Sequence, residues 1–326
     1  MTSHSLNVRI TTISWVAGVA VLMATLSCDS TGPEPKEVQA APMVPIMRGQ
    51  MVFVDQSTSV FSLFLADSNG AKLKNLSVAV SDAFDPAVSA DGKKIAYSGW
   101  IRSEDGRDIW VMNADGTNQV RLTLTVNTTS WTSSTSPAWS PDGKRIAFVT
   151  STGVWEHQIF VMNADGSEVK QLTDDDDAYS LSPEWSPDGS RILFSHFASH
   201  SENTGIFEMN PDGSDVRRLR PGYAMQPTRS PDATRIAFIS GQSLFVMNAD
   251  GSNATALASG LDWDGELAWS PDGKSIVFGI TSNSKMCWDW DYEEYACGRD
   301  LKRVGLDGVI DPTWKLISAF SLVWQR

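Results

Sequence analysis

The chain has 326 residues, 41% of them hydrophobic, so it can bury a sizeable core in one large or two ordinary domains. Its 26 basic and 39 acidic residues give a net charge of -13, which disfavours binding to nucleic acid or to anionic lipid headgroups. The 13 tryptophans favour a repeating architecture or an aromatic binding face.

The first 28 residues predict an export signal. Arg9 precedes the largely apolar run 10–26, which ends in small residues before Cys28. The letters TLSC at 25–28 resemble a bacterial lipobox, in which the Cys thiol accepts a lipid, although Leu is commoner at the place of Thr25. Lipidation of Cys28 is predicted, with cleaved soluble export and an uncleaved anchor as alternatives. All three predict a location outside the cytoplasm, in the bacterial periplasm or on the outer surface.

A short linker follows the signal. Residues 29–47 contain four prolines and no apolar periodicity, so they predict an extended, semi-rigid tether that holds the body at 48–326 away from the membrane.

The body contains two interleaved turn motifs. The first, with sequences ADG, PDG, PDG, PDA and PDG, recurs at intervals of roughly 40 to 50 residues, at Asp91, Asp142, Asp188, Asp232 and Asp272. The second ends at Gly116, Gly166, Gly213, Gly251 and Gly308, with a looser copy at Gly70. Pro, Asp and Gly at these places are typical of hairpin turns. We name them the SPDG and NADG turns.

The stretches between the turns predict strands. In one repeat they read AWS, KRIAFVT, QIFVMNA and EVKQLT, which are rich in β-branched and aromatic residues. Four antiparallel strands per repeat of this length are typical of a β-propeller blade. Five complete repeats begin at about Asp85, Pro137, Pro183, Pro227 and Leu267.

The two ends of the body predict a sixth blade. RGQMVFVDQ, FSLFLADSNG and KLKNLS, at 48–77, supply three strands, and SLVWQR, at 321–326, supplies the missing first strand. Trp324 takes the position of Trp139, Trp185 and Trp269. The prediction is an all-β, six-bladed propeller whose ring is closed by the C-terminal strand, which leaves no free sheet edge at the closure.

These motifs resemble those of the TolB-like, Trp-Asp-repeat-like propeller family over about residues 48–326. The resemblance implies a propeller that a protein or peptide partner approaches at one mouth of its channel. TolB carries an α/β domain ahead of its propeller, whereas the stretch between Cys28 and Arg48 is too short for one, so we expect a different partner.

The face opposite the SPDG and NADG turns carries longer and more variable loops, and we name it the variable-loop face. Binding residues gather on such loops. Its candidate binding residues are aromatic: Trp100, Trp131, Trp155, Trp263, Trp288, Trp290 and Tyr292. Packing of each ring over its own blade is the alternative.

The longest insertion, residues 282–299, lies on the same face. CWDWDYEEYACG alternates aromatic and acidic residues, which predicts a small hairpin, and the oxidising compartment predicts a disulfide between Cys287 and Cys297. A solvated decorative loop with two free thiols is the alternative.

Signals of catalysis and metal binding are weak. Asp174 to Asp177 form an acidic run that we interpret as a solvated loop, with Ca²⁺ as the alternative ligand. His157, His196 and His200 lack a third metal ligand at a clear spacing, and the chain has no GxSxG motif. We therefore predict no catalytic residues, no metal and no cofactor.

We predict a monomeric, non-enzymatic lipoprotein of the cell envelope that binds a protein or peptide, or an envelope polysaccharide, through the variable-loop face. The alternative is a propeller lyase or hydrolase acting on an extracellular polysaccharide, with Asp262 and Asp264 as paired carboxylates.

Overall fold

The computed structural model describes residues 14–16, 19–21, 46–55, 60–76, 80, 82–101, 106–124, 133–153, 156–175, 178–198, 203–261, 267–281, 286–288, 294–296, 299–317 and 319–325. The chain forms two compact units, Met1–Pro42 and Met43–Arg326. In the first unit, strands β1 (Ser14–Val16) and β2 (Val19–Val21) pair antiparallel. The boundaries of the signal (residues 1–28), the tether (29–47) and the propeller (48–326) remain predictions.

The second unit is built from short strands. Its first half contains β3 (Met51–Asp55), β4 (Ser62–Ala66), β5 (Lys72–Asn75), β6 (Asp82–Val88), β7 (Lys94–Trp100), β8 (Arg107–Asn113), β9 (Val120–Arg121), β10 (Ser134–Trp139), β11 (Arg145–Gly153), β12 (Glu156–Asn163) and β13 (Lys170–Gln171). Its second half contains β14 (Ala178–Trp185), β15 (Ile192–Ala198), β16 (Gly205–Met209), β17 (Arg217–Pro221), β18 (Met225–Arg229), β19 (Arg235–Ser240), β20 (Ser243–Asn248), β21 (Thr255–Ser259), β22 (Leu267–Trp269), β23 (Ser275–Thr281), β24 (Met286–Trp288), β25 (Glu294–Ala296), β26 (Arg299–Gly305), β27 (Ile310–Ile317) and β28 (Ala319–Trp324).

These strands form an all-β propeller, as predicted. Four separate sheets have four strands each, in the orders β28-β3-β4-β5, β6-β7-β8-β9, β18-β19-β20-β21 and β22-β23-β26-β27. An eight-stranded sheet contains β10 to β17, and its two halves are joined by one parallel pair, His157 opposite Tyr179. The described residues include no α-helix.

The predicted partnership of the two ends of the body is present. Strand β28 pairs antiparallel with β3, and Trp324 lies opposite Met51. The C-terminal strand thus becomes the first strand of the sheet that β3, β4 and β5 continue.

The core lies between neighbouring sheets. One cluster joins Ala96, Ile109 and Val111 to Ile146 and Phe148 of the next sheet. Another packs the fully buried Trp269 against Ile239 and Leu244. Because both faces of the middle strands are covered, sequences such as RIAFVT read as almost continuous apolar runs.

The SPDG turns form as predicted. In the second copy, Asp142 Oδ1 accepts hydrogen bonds from Ser140 Oγ at 2.6 Å and from the Lys144 amide at 3.1 Å. Gly143 closes the turn with a φ of 68° and donates its amide to the Ser140 carbonyl at 2.9 Å. The Ser–Asp bond recurs at Asp91, Asp188, Asp232 and Asp272. Each motif therefore fixes the hairpin between the first two strands of its repeat.

Two of the outermost strands are shorter than the sequence predicts. EVKQLT contains the two-residue strand β13, and β9 is equally short. Asn118 and Glu168 have left-handed φ angles of 52° and 54° just before these strands. The same conformation at Asp215 and Asn253 precedes the five-residue strands β17 and β21, so it marks the turn into the fourth strand and does not set that strand's length.

Asp188 gives a prediction for acid stability. Hydrogen bonds from the Ser186 hydroxyl and the Ser190 amide lower the pKa of its carboxyl from 3.8 to about 2. A lowered folded-state pKa contributes stability that is complete above the unfolded pKa and is lost as the pH falls through the folded pKa. Asp188→Asn keeps an acceptor oxygen but does not titrate, so it should lose less stability than the unmodified chain between pH 5 and pH 2. Urea midpoints measure this. Exposed Glu168→Gln is the control, and an equal loss in Asp188→Asn and the unmodified chain would contradict the assignment.

Candidate functional site

An axial cavity of about 530 Å³ lies among the first strands of the sheets. Residues from six such strands line it, namely β6, β10, β14, β18, β22 and β28. Its wall includes eight prolines and three tryptophans. The eight prolines include those of SPDG turns, such as Pro141 and Pro187. The cavity therefore extends to the face that carries the SPDG turns. The short, uniform turns of that face did not predict a functional role for it.

A repeated bulge shapes the wall. Asp85, Ser136, Ser182 and Gln226 have left-handed φ angles of 49°, 52°, 53° and 51°, and each precedes a proline. The pairing register shifts at each of these sites. The extra residue of a bulge kinks a strand and changes the direction of its side chain. All four side chains line the cavity and are half-buried.

The strand and turn motifs do not predict these bulges, although the sequence contains a signal for them. Proline recurs at 86, 137, 183 and 227, inside segments that otherwise read as strands. Because proline cannot donate to a ladder, within sheets it is confined to edges and bulges. The recurring proline therefore indicates a bulge at the same position of the first strand, at the inner edge of the sheet, in several repeats.

Two carboxylates of the wall connect neighbouring first strands. Asp85 Oδ2 accepts the Ser136 amide at 3.2 Å and the Ser98 hydroxyl at 2.8 Å. Glu184 Oε2 accepts the Arg229 amide at 2.7 Å. Indole groups make similar connections, since Trp139 Nε1 donates to the Ala87 carbonyl at 3.2 Å. The wall is thereby fixed by bonds between sheets as well as within them.

The cavity wall mixes apolar side chains with polar and charged ones. Arg48 is its one described cation and donates from Nη2 to the Pro271 carbonyl at 3.0 Å. Apolar rings together with polar groups held in fixed positions occur in ligand sites that fix the orientation of what they bind. An extended peptide presents this combination of apolar side chains and backbone polar groups.

Few of the predicted aromatic binding residues lie within the described residues. Trp100 is 36% exposed at the end of β7. Trp288 lies in β24. Trp131, Trp155, Trp263, Trp290 and Tyr292 lie outside the described residues. The aromatic cluster on the variable-loop face remains a prediction.

The insertion at 282–299 contains the predicted hairpin. Strands β24 and β25 pair antiparallel, and Cys287 lies opposite Tyr295. The insertion leaves β23 and returns to β26 beside it, with Thr281 opposite Arg299. Cys28 and Cys297 lie outside the described residues, so the lipid and the disulfide remain predictions.

Two of the candidate histidines are described. His196 Nδ1 lies 3.1 Å from the hydroxyl of buried Ser180, and its Nε2 lies 3.6 Å from Asp175 Oδ2. Burial lowers the pKa of His196 and the Asp175 carboxylate opposes that shift, while burial alone lowers the pKa of His157. The Ser180 hydroxyl is buried, and the two contacts of His196 connect β15 with β14 and with Asp175.

The other acidic and histidine candidates give no metal site in the described part of the chain. There, no group of three or more His, Cys, Asp or Glu residues is placed to hold a metal ion. His200, Asp176, Asp177, Asp262 and Asp264 lie outside the described residues. Within the same described residues, no helix is long and apolar enough to cross a membrane.

Among solved structures, TolB from Acinetobacter baumannii matches with a TM-score of 0.66 and 19% identity, over 87% of this chain and 68% of that chain. An oligogalacturonate lyase in complex with manganese matches with a TM-score of 0.53 and 12% identity, over 81% and 73%. At these identities the likeness concerns the fold alone.

Among curated proteins, the uncharacterized peptidase YuxL of Bacillus subtilis (strain 168) is 29% identical over 107 residues, which are 29% of this chain and 14% of that protein. The chain therefore spans a small fraction of that relative. The family model of the TolB beta propeller domain matches residues 45–243 and 176–285. Because these matches cover more than half of the chain, the chain belongs to the TolB beta-propeller domain family.

Proposed function

We propose that this protein is a non-enzymatic binding protein of the bacterial cell envelope, with a closed six-bladed propeller that takes a peptide segment of a protein partner into its axial cavity. The observation that carries the proposal is the cavity of about 530 Å³ with its walls of proline and tryptophan. Peptide is the favoured ligand class because the wall combines apolar rings with polar groups, and bonds between sheets hold carboxylates such as Asp85 and Glu184 in place.

The proposed count of six rests on dividing the eight-stranded sheet into two blades. Its halves, β10 to β13 and β14 to β17, meet through the single pair His157–Tyr179. Each half has four strands in the order found in the four separate sheets. With the β28-β3 pair joining the chain ends, the first strands of six blades surround the cavity.

A location outside the cytoplasm is part of the same proposal, and it rests on the apolar run before Cys28. Family membership is compatible with it, since the A. baumannii match is itself a TolB protein. Lipidation of Cys28 and a monomeric state are proposed with it.

We also propose that the aromatic residues of the variable-loop face, including Trp288 and Trp290, form a second part of the surface that binds the partner. The alternative, a lyase or hydrolase of extracellular polysaccharide, rests on fold likeness alone. The likeness to a lyase brings no catalytic residue of that protein to this chain.

Capture of the partner in the native envelope tests the axial site. Ser182→Trp should fill the cavity with an indole and reduce capture at least about tenfold, the scale of one lost binding anchor. Thr255→Trp places the same side chain on an exposed outer strand and should leave capture unchanged. A Trp288→Ala/Trp290→Ala variant reports on the second part of the surface separately. Full capture by folded Ser182→Trp would rule out the axial site.

A further inference from the structure

A second cavity, of about 500 Å³, lies between the sheet β6-β7-β8-β9 and the neighbouring strands β10 to β13. Turn residues of both sheets line it, and Val120 of β9 lines it further out. Four residues line this cavity and the axial cavity alike, namely Ser89, Ala90, Trp139 and Pro141. The second cavity therefore continues the axial one outward from the first strands to a fourth strand, and we name it the side groove.

The inner end of the side groove is open because one SPDG turn lacks its proline. Ala90 occupies the position that proline has in the other four SPDG turns. At the next junction along the chain, the proline ring covers the glycine of the following turn, since a Cβ added to Gly189 would lie 3.7 Å from Pro141. A Cβ added to Gly143, in the turn that follows Ala90, would meet nothing within 4 Å. The side groove thus has a space where that junction holds a proline ring.

The outer end of the side groove lacks a lysine that two other junctions have. Lys170 donates from Nζ to the Asp212 carbonyl, in the NADG turn of the next sheet, at 2.8 Å, and Lys74 makes the equivalent bond at 2.8 Å. Val120 has the same ladder position on β9 as Lys170 has on β13, and it is 46% exposed. The carbonyl that a lysine at this position could reach belongs to Asp165, which lines the side groove.

The charges of the side groove favour a cationic ligand. Its lining includes the carboxylates of Asp91, Asp142 and Asp165. Hydrogen bonds from serine hydroxyls lower the pKa of Asp142 and of Asp165, so both are ionised at pH 7. Lys94 is the cation among the described lining residues, and its Nζ donates to Asn113 Oδ1 at 2.8 Å. The excess of carboxylates attracts a positive side chain to this groove.

We propose that the side groove binds an extended peptide segment of the partner, which continues out of the axial cavity and places an apolar side chain over Gly143 and a lysine or arginine at Asp165. This inference rests on the proposed axial site. The partner thereby supplies the two groups that this junction lacks and that other junctions carry themselves, a proline ring and an ammonium group. Trp139 and Pro141 form an apolar wall beside the first group.

The spacing of the strands sets the spacing of the two side chains in the partner. Neighbouring strands lie about 4.8 Å apart, so the first and fourth strands of a sheet are about 14 Å apart. An extended chain advances roughly 3.3 Å per residue. The apolar and the basic residue should therefore lie about four residues apart. A second copy of this chain is the competing occupant, and its net charge of -13 opposes binding to an acidic groove.

Photocrosslinking in the intact envelope tests the occupant. A benzophenone amino acid replaces Val120, or Thr255, which has the same ladder position on β21. We expect position 120 to crosslink the same protein that position 182 crosslinks, through a segment that contains lysine or arginine, and position 255 not to crosslink it. Mass spectrometry of the crosslinked peptides identifies the segment.

Two substitutions that restore the pattern of the other repeats test the groove itself. Ala90→Pro should fill its inner end, and Val120→Lys should supply the missing ammonium group. Each should reduce capture of the protein crosslinked at 182 at least about tenfold, the loss of one binding anchor. Thr255→Lys adds the same charge at the matched position and should leave capture unchanged. Circular dichroism melts confirm that the variants fold.

The failures of the two proposed sites are distinguishable. An adduct at 182 alone overturns the side groove, an adduct at 120 alone overturns the axial site, and adducts at neither position overturn both. The peptide assignment is overturned if position 120 crosslinks a second copy of this chain, or a segment without a basic residue. Full capture by folded Val120→Lys also overturns it.

Discussion

Replacing Glu208 with valine is expected to lower the free energy of unfolding by about 3–5 kcal/mol, because the change leaves the charge of Arg229 buried without its partner. The two side chains form an ion pair and are 3% and 7% exposed. Arg217 contacts Glu208 from a more exposed position. Urea unfolding monitored by tryptophan fluorescence measures the loss.

The repeats themselves suggest how to repair that loss. Glu208 and Arg229 stand where other repeats have a valine on a third strand and a tryptophan on the next first strand. Val161 and Trp185 share one core cluster, and Val246 packs on the cluster that contains Trp269. The double variant Glu208→Val/Arg229→Trp should therefore recover most of the stability, since apolar replacement of a buried ion pair is often neutral or stabilising.

Both variants are compared with Thr255→Val, a change on the exposed strand β21 that should alter the free energy of unfolding by no more than about 0.5 kcal/mol. Equal stability of Glu208→Val and the unmodified chain would mean that the ion pair is not buried in solution. A double variant no more stable than the single one would mean that this junction does not accept the apolar pair.

Gly251→Ala is the second substitution with a large expected effect. Gly251 has a φ of 89°, and an added Cβ would lie 2.1 Å from the Leu219 carbonyl oxygen of the preceding sheet. The left-handed conformation alone costs a non-glycine residue about 1–2 kcal/mol. The backbone clash should add roughly another 1–3 kcal/mol, as overpacking does elsewhere.

Gly143→Ala separates the cost of the left-handed conformation from the cost of the backbone clash. Gly143 has a φ of 68°, and an added Cβ would meet nothing within 4 Å, so this variant should show the conformational cost alone. The measurement is the difference in unfolding free energy between the two alanine variants. If they are equally destabilised, the NADG glycine does not need its close approach to the neighbouring sheet.

The strands and turns could be predicted from sequence because the signals are local and repeated. The Ser–Asp–Gly bonds lie within one hairpin, as at Ser140 and Asp142, so spacing alone was enough to predict them. The pairing of β28 with β3 could be predicted because Trp324 aligns with the tryptophans of the other first strands.

Other features depend on contacts between distant segments. Glu208 lies on the third strand of one repeat and Arg229 on the first strand of the next. The sequence shows that each residue departs from the repeat pattern, but it does not show that the two side chains contact each other. The left-handed residues before proline were unexpected because proline ordinarily favours an extended conformation at the preceding residue.

The central claim is that a partner segment enters the axial cavity, and site-specific photocrosslinking tests it most directly. A benzophenone amino acid is placed at Ser182, on the cavity wall, or at Thr255, on an outer strand, and the cells are irradiated with the envelope intact. The account predicts one defined protein adduct from position 182 that is absent from position 255, with the crosslinked peptide identified by mass spectrometry. No adduct at 182, or the same adducts at both positions, would contradict it.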